Sequence, residues 1–493
     1  DYPFTSSDQE GMVQFEIIYS DSSGNQGDTV IATTDNSYII FDDTSPSDFT
    51  VGDVVSTGGN NVSLFWNSTN TGMDVIVPIA SDTTLDSGRV QIYAKIGANA
   101  FEILGSYEFV EAGEVGLTKT MSIPGEQVRS ITGYAEEQTI TIRANIYDVP
   151  GNETIGAEST TELTIEETSP SITYVSYRSN FSDTTLATVG HEITVTLRTN
   201  EAIQNPTATI SSNTANIIDL GGDAWHCKYE MQDSDSDGII PFQIGEIRDI
   251  AGNPTAGTET TTDGSTVVFD NTRPTLDPVR IRSSNADSTW AKVGDTISIK
   301  FVANELLSDQ VTSIVGQAAN ISELGGGQKY LAMYEMIDSD PEGEVIFEII
   351  VTDSVGLLSD PVTSTTNSSQ VIFDRTLPTL DLVNIQSTNA NNSSIAITGD
   401  DVVITFTPAE PLLVDSINVT IANEPATLIQ DGDSYVATLT LSGDEPGGIL
   451  PYTIDFKDRA SNSGVQVTAS TDDSYVNHDI VPPELLNISI FSN

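Results

Sequence analysis

The chain is 493 residues long and carries 72 acidic against 18 basic side chains, a formal net charge of −54. Such a field repels phosphate backbones and anionic lipid and recruits counter-cations, which excludes nucleic acid as a partner and argues against membrane-surface binding. A single cysteine, Cys227, rules out an intrachain disulfide framework, and three histidines make a His/Cys zinc site hard to assemble, while 38% hydrophobic residues is ordinary globular composition.

Proline-terminated strings punctuate the sequence. In chain order they are Phe41-Asp42-Asp43-Thr44-Ser45-Pro46, Ile165-Glu166-Glu167-Thr168-Ser169-Pro170, Val268-Phe269-Asp270-Asn271-Thr272-Arg273-Pro274, Ile372-Phe373-Asp374-Arg375-Thr376-Leu377-Pro378 and His478-Asp479-Ile480-Val481-Pro482-Pro483. Pro170, Pro274 and Pro378 are spaced by 104 residues and Pro483 follows after 105, the signature of tandem structural repeats. Residues 1–41, which contain Gly11–Ile17 and then Asp21–Asn25, read as the C-terminal half of a preceding module. Residues 42–165 make a longer, divergent module, and 166–269, 270–373 and 374–478 make three regular ones. Residues 479–493, with the apolar run Leu485–Ile490, read as the first strand of a following module, so the expectation is an interior slice of a longer array.

Within a repeat the alternation is that of half-buried strands. Ile297, Ile299 and Phe301 alternate with Thr296, Ser298 and Lys300, and Val345, Phe347, Ile349 and Val351 repeat the pattern before a turn. Helical periodicity is nearly absent. The expected fold is therefore all-β, a tandem array of Ig-like β-sandwich modules strung as beads, without a Cys…Trp…Cys core.

The string Phe-Asp-Asn-Thr-Arg-Pro-Thr-Leu at 269–276, followed by Ala291-Lys292-Val293-Gly294-Asp295-Thr296 and by turns such as Asp249-Ile250-Ala251-Gly252-Asn253, resembles the tandem Ig-like modules of prokaryotic cell-surface proteins. Such modules occur in giant adhesins and in archaeal surface-layer proteins, most similarly those of marine ammonia-oxidising archaea. The resemblance spans essentially the whole chain and is specific for the module rather than for the parent protein. It implies an extracellular structural protein, a surface-layer (S-layer) subunit whose partners are copies of itself, small cations and N-linked glycans. Two alternatives stay open: the stalk of a calcium-dependent adhesin, and spacer modules of an extracellular enzyme.

Sandwich topology, with the N-terminus beside the B–C and F–G loops and the C-terminus beside the E–F loop, brings linker carboxylates to both loop sets. The E–F segment Asp233-Ser234-Asp235-Ser236-Asp237-Gly238 spells the opening of a calcium loop, since alternate carboxylates can turn toward one hard cation and three acids in five residues otherwise repel. An EF-hand is rejected because its twelfth position is Ile244. A polar hairpin turn favours the same residue types, so both readings stand. With linker Asp270, Glu305 and Asp353 these residues make one candidate Ca²⁺ clamp, and Asp270 is expected to be its central ligand. The next repeat offers Asp338, Asp340, Glu342, Asp374, Glu410 and Asp458. The first offers Asp8, Glu10, Asp42, Asp43, Asp82 and Asp148. Between them only Glu166, Glu167, Glu201 and Asp249 are clear, and Asp444, Glu445 and Asp479 form the weakest set. Asp249 is equally readable as an Asx residue capping its own turn.

Cys227 is expected to be a buried small side chain, and Trp66, Trp225 and Trp290 core or edge aromatics. Asn-x-Ser/Thr sequons stand at Asn61, Asn67, Asn152, Asn180, Asn320, Asn367, Asn391, Asn392, Asn418 and Asn487, a mild excess over chance. No G-x-S-x-G elbow, Walker loop or H-E-x-x-H string occurs, so no catalysis is expected of these modules.

Overall fold

The computed structural model describes residues 1–490. It is almost entirely β-structure and divides into two compact units, Asp1–Asn271 and Thr272–Asn493. Each unit contains two separate hydrophobic cores. Those of the first run from Val51 to Ile165 and from Val175 to Phe269. Those of the second run from Leu276 to Phe373 and from Val383 to Val476.

Three of the cores sit in one recurring architecture. In the first unit a four-stranded sheet takes the order Ile172–Ser179, Glu192–Thr199, Ala224–Glu230, Asn216–Asp219. Two small sheets oppose it. In one, Val268–Phe269 pairs parallel with Leu186–Ala187 and antiparallel with Gly238–Ile239. The other joins Asn213–Thr214, Ala208–Ile210 and Phe242–Ile244. The period-2 pattern drives this layering, because Ile193, Val195 and Leu197 turn to the core while their neighbours stay partly exposed. Both modules of the second unit repeat the same strand orders. The fold is thus a tandem array of β-sandwich modules.

The module at 42–165 differs. Its sheets join Phe65–Trp66, Leu163–Ile165, Thr139–Tyr147, Arg89–Ile96 and Glu102–Phe109 on one side, and Val54–Thr57, Gly72–Pro78 and Thr118–Pro124 on the other. A single helical turn, Gly125–Val128, packs beside them.

Residues 1–41 carry the pairings of a module's second half. Gly11 pairs with Phe41 as Gly238 pairs with Phe269, Gly343 with Phe373 and Gly448 with His478. Each of these glycines has φ between 105° and 122°, a backbone that side chains rarely adopt, which is why the D-x-D-x-D-G and E-G spellings end in Gly. The apolar residues Met12, Ile17, Ile31 and Ile39 are exposed. Residues 479–490 form no strand, and Leu485, Leu486, Ile488 and Ile490 face solvent, since an extended segment without a ladder partner gains no pairing.

Within each unit the modules are latched by side-chain hydrogen bonds. In the first, buried Asn67 donates from Nδ2 to Ala251 O (2.7 Å), Asn60 donates to Gly252 O (3.0 Å), and Asn253 Oδ1 accepts from Ser68 N (2.8 Å). In the second, Asn285 donates to Ala460 O (2.8 Å) and Lys292 to Ser461 O (2.9 Å). Both latches grip the same turn of the following module, the segment after Asp249 or Asp458.

Candidate metal centres

Each of these turns is built by its aspartate. Asp249 Oδ1 accepts from the backbone N–H of Gly252 (2.5 Å) and Asn253 (2.8 Å), and its Oδ2 accepts from Asn253 Nδ2 (2.8 Å). Asp458 and Asn462 repeat this, with N–H and Nδ2 both donating at 2.8 Å. Asp148 and Asn152 do so again. The Asx reading of Asp249 thus describes its geometry, and the asparagine then reaches on to the linker: Asn253 to Glu166 O (3.0 Å), Asn462 to Asp374 O (2.9 Å) and Asn152 to Asp42 O (3.0 Å).

That reach draws the linker carboxylate against the aspartate. In the first unit the carboxylates of Glu166, Glu201 and Asp249 offer oxygens within 4.8 Å of one another, with Asp249 buried and the other two half-buried. In the second, Asp374, Glu410 and Asp458 form the same triad. Three negative groups in partial burial resist ionisation together. Desolvation, then the hydrogen-bonded and like-charged Asp249, pushes Glu166 up to about 8. Burial, then Asp458 and Glu342, raises Asp374, and burial, then Asp374 and Asp458, raises Glu410. Each triad can hold a metal ion, whose charge would remove this repulsion.

A fourth acid closes each linker from the other side. Glu342 accepts from Arg375 N (3.0 Å) and Thr376 Oγ1 (2.7 Å), contacts that lower its pKa, the Thr376 hydroxyl most. Glu10 takes the same part toward Asp43 N (3.1 Å) and Thr44 Oγ1 (2.5 Å), and Asp237 accepts from Asn271 N (2.7 Å). Between Glu10 and Glu342 the series contains a residue that sequence reasoning missed: Glu136 accepts from Glu167 N (3.0 Å) and Thr168 Oγ1 (3.1 Å). The available signal was spacing, for Glu136 precedes its linker acid by 30 residues where the others precede theirs by 32 or 33.

The remaining expected ligands sit elsewhere. Asp235 accepts from Gln232 N (2.8 Å), Ser211 and Asn213, Asp340 from Ile337 N (2.8 Å) and Tyr334, and Asp8 from Thr5 N (2.7 Å) and Tyr2. All three hold their own loops through an amide three residues back, as Glu445 does through Ser442 N. Asp233 accepts from Asn271 Nδ2 (2.8 Å), exposed Asp338 lies 3.9 Å from Arg375, and Asp82 caps the turn Thr83–Leu85. Asp42 accepts from Thr44 N and Asp479 from Val481 N. Asp270 belongs to the first unit, where its N–H donates to Ala187 O (2.9 Å).

In the second unit the oxygens of Glu305 and Asp353 approach within 4.8 Å. Asp353 is fully buried, and its Oδ1 accepts from Val355 N and Leu357 N at 2.9 Å. Position 357 is leucine where the other turns have asparagine, so Asp353 Oδ2 is buried without a hydrogen-bond partner.

Cys227 is buried, and burial pushes its thiol up to about 11. Trp66 and Trp225 are buried and Trp290 is half-buried. Of the sequons, Asn67 is enclosed and its amide already committed, whereas Asn320, Asn367, Asn391, Asn392 and Asn418 are exposed. Among the described residues no helix is long and apolar enough to cross a membrane.

No protein-family model and no curated protein matches the chain. Among solved structures it is similar to the fibronectin(III)-like modules of Clostridium thermocellum CbhA, at 12% identity over 44% of this chain and 100% of that one, with a TM-score of 0.22. It is also similar to domains A168-A170 from titin, at 10% identity over 62% of this chain and 99% of that one, with a TM-score of 0.24. Likenesses of this size say nothing of what the chain does, and the assignment to β-sandwich modules rests on its own sheet topology.

Proposed function

We propose that the chain is a non-catalytic, structural part of an extracellular surface coat, an S-layer subunit whose modules are joined in series and stabilised at their joins by calcium. The observation that carries this reading is the recurrence of one grouping, linker acid plus two loop acids of the next module, in a chain with four acids for every base. Calcium suits the chemistry because the donors are all hard carboxylate oxygens, and no nitrogen or sulfur enters the set. The buried, unpartnered Asp353 Oδ2 supports a cation, since an unpaired buried carboxylate oxygen is costly. The visible divergence between modules fits lateral contacts that differ along the array, and the excess charge fits a coat that concentrates small cations and excludes anions. Exposed sequons leave room for N-linked glycans. Electron microscopy of the native cell surface tests the reading: a periodic coat labelled by antibody to this chain supports it, and isolated fibres support an adhesin stalk instead.

A further inference from the structure

Four of the 18 basic residues share one sheet face. In the second unit Arg280 and Arg282 on Leu276–Ser283, Lys300 on Thr296–Ala303 and Lys329 on Lys329–Glu335 are all exposed, and they alternate with the buried Val279, Ile281, Ile299, Phe301 and Tyr330. Period 2 therefore places all four on the outer face of one four-stranded sheet. Arg280 and Lys300 are direct cross-strand partners. Like charges at opposed positions destabilise a sheet, and none of the four has a carboxylate within 4.0 Å among the described residues. A chain with 72 acids has spent four of its 18 bases on an arrangement that repels itself, which an anionic partner on that face would relieve. In the first unit the same face carries Arg178 and Arg198, both exposed.

We infer that this basic sheet face docks the acidic sheet face of a second copy of the chain. The complementary surface is in the same sequence: the equivalent sheet of residues 374–478 has no basic residue on any of its four strands and presents Asp401 and Asp431. Two faces of one fold with opposite charge make a heterologous contact, which propagates from copy to copy instead of closing into a dimer. The overall charge opposes approach at long range, but beyond about 8 Å at physiological ionic strength that repulsion is screened, and the local complement decides the contact. This inference rests on the coat reading and names the surface such a coat would use.

The test uses the intact chain in sedimentation-velocity runs across protein concentration, at moderate and at high ionic strength. The double reversal Arg280→Glu/Lys300→Glu is compared with Lys457→Glu/Arg459→Glu. The parent and the 457/459 variant are expected to self-associate at moderate salt and dissociate at high salt, while the 280/300 variant associates at least about tenfold more weakly. Its melting temperature should stay near the parent's, because one like-charge cross-strand pair replaces another, whereas in Arg280→Ser/Lys300→Ser, which also serves if the reversal fails to fold, it should hold or rise because the pair is removed. Association that survives both 280/300 variants overturns this face while leaving the coat reading intact. A parent that stays monomeric throughout overturns both. Retention of a monomeric parent on immobilised heparin or phosphatidylserine vesicles, lost in the 280/300 variant, overturns the second copy as occupant.

Discussion

Leu357→Asn should stabilise the second unit. Asparagine at this position in the other turns donates from Nδ2 to the aspartate Oδ2 at 2.8 Å in Asn152, Asn253 and Asn462, and Leu357 leaves the corresponding Asp353 oxygen buried without a partner. A hydrogen bond to a charged group contributes about 1.5–3 kcal/mol. Against it stands the lost packing of a half-buried leucine, about 1 kcal/mol. The net gain is about 0.5–2 kcal/mol, and for a unit of this size about 2–4 °C of melting temperature accompanies each kcal/mol. Differential scanning calorimetry of the intact chain in chelator, with Asn462→Leu as the opposite swap, measures it. On the proposed reading the gain should shrink in calcium, because a bound ion would compensate the oxygen. A Leu357→Asn protein that melts at or below the parent temperature in chelator refutes the reasoning.

Further expectations concern charge and access. Glu166 is raised from 4.5 to about 8, so its contribution to the first unit is fully present below pH about 4.5 and lost as pH rises through about 8. After discounting for solvent, unfolding in chelator should show a loss of about 1–2 kcal/mol across that window, and Glu166→Gln should flatten it. Calcium competes with the proton and should reverse the slope; an unchanged slope argues against an ion there. Cys227, buried with its thiol pushed up to about 11, should react with a soluble disulfide reagent only when the surrounding module opens, so its rate should follow urea-induced unfolding. Peptide mapping of glycosylated material should find sugar at exposed sequons such as Asn320 or Asn391 and none at Asn67, whose amide is committed to Ala251 O and Asn60 O.

The modular fold was readable because its two signals are long-range and redundant. Prolines spaced by 104 residues fix the period, and strict alternation such as Ile297-Ser298-Ile299 fixes strand and face together. The separate sheets of 42–165 and the turn Gly125–Val128 carried no such repeat to compare with. At the joins the same register found the linker acids and the turn aspartates, residues that each repeat must place alike. It could not say which acid of Asp233-Ser234-Asp235-Ser236-Asp237 turns to the linker, because alternation in a hairpin is local. There Asp235 holds the loop's own amide, while Asp237 holds Asn271 N. Glu136 sits in no such string and escaped notice. Asn60 and Asn67 look like ordinary loop residues, and only the folded chain shows what their amides grip.

The joins combine two interactions of different kind, and their magnitudes decide what an ion is needed for. The Asn67, Asn60 and Asn253 contacts are neutral hydrogen bonds, each contributing about 0.5–1.5 kcal/mol and indifferent to salt. The triad acts the other way: with Glu166, Glu201 and Asp249 all ionised it pushes the linker and the two loops apart, and burial first, then Asp249, pushes Glu166 up to about 8, which favours a proton there at neutral pH. The amides therefore position the loops and keep the join closed while one carboxylate is protonated. On the proposed reading a bound cation would become decisive once all three are charged, where it would turn the same oxygens from mutual repulsion into shared ligation. A chain that has discarded most of its bases cannot neutralise such clusters with lysine or arginine, as Arg129 does for Glu167 at 2.7 Å. On the proposed reading cations from solution would take that part instead, so that the strength of each join would depend on the medium around it.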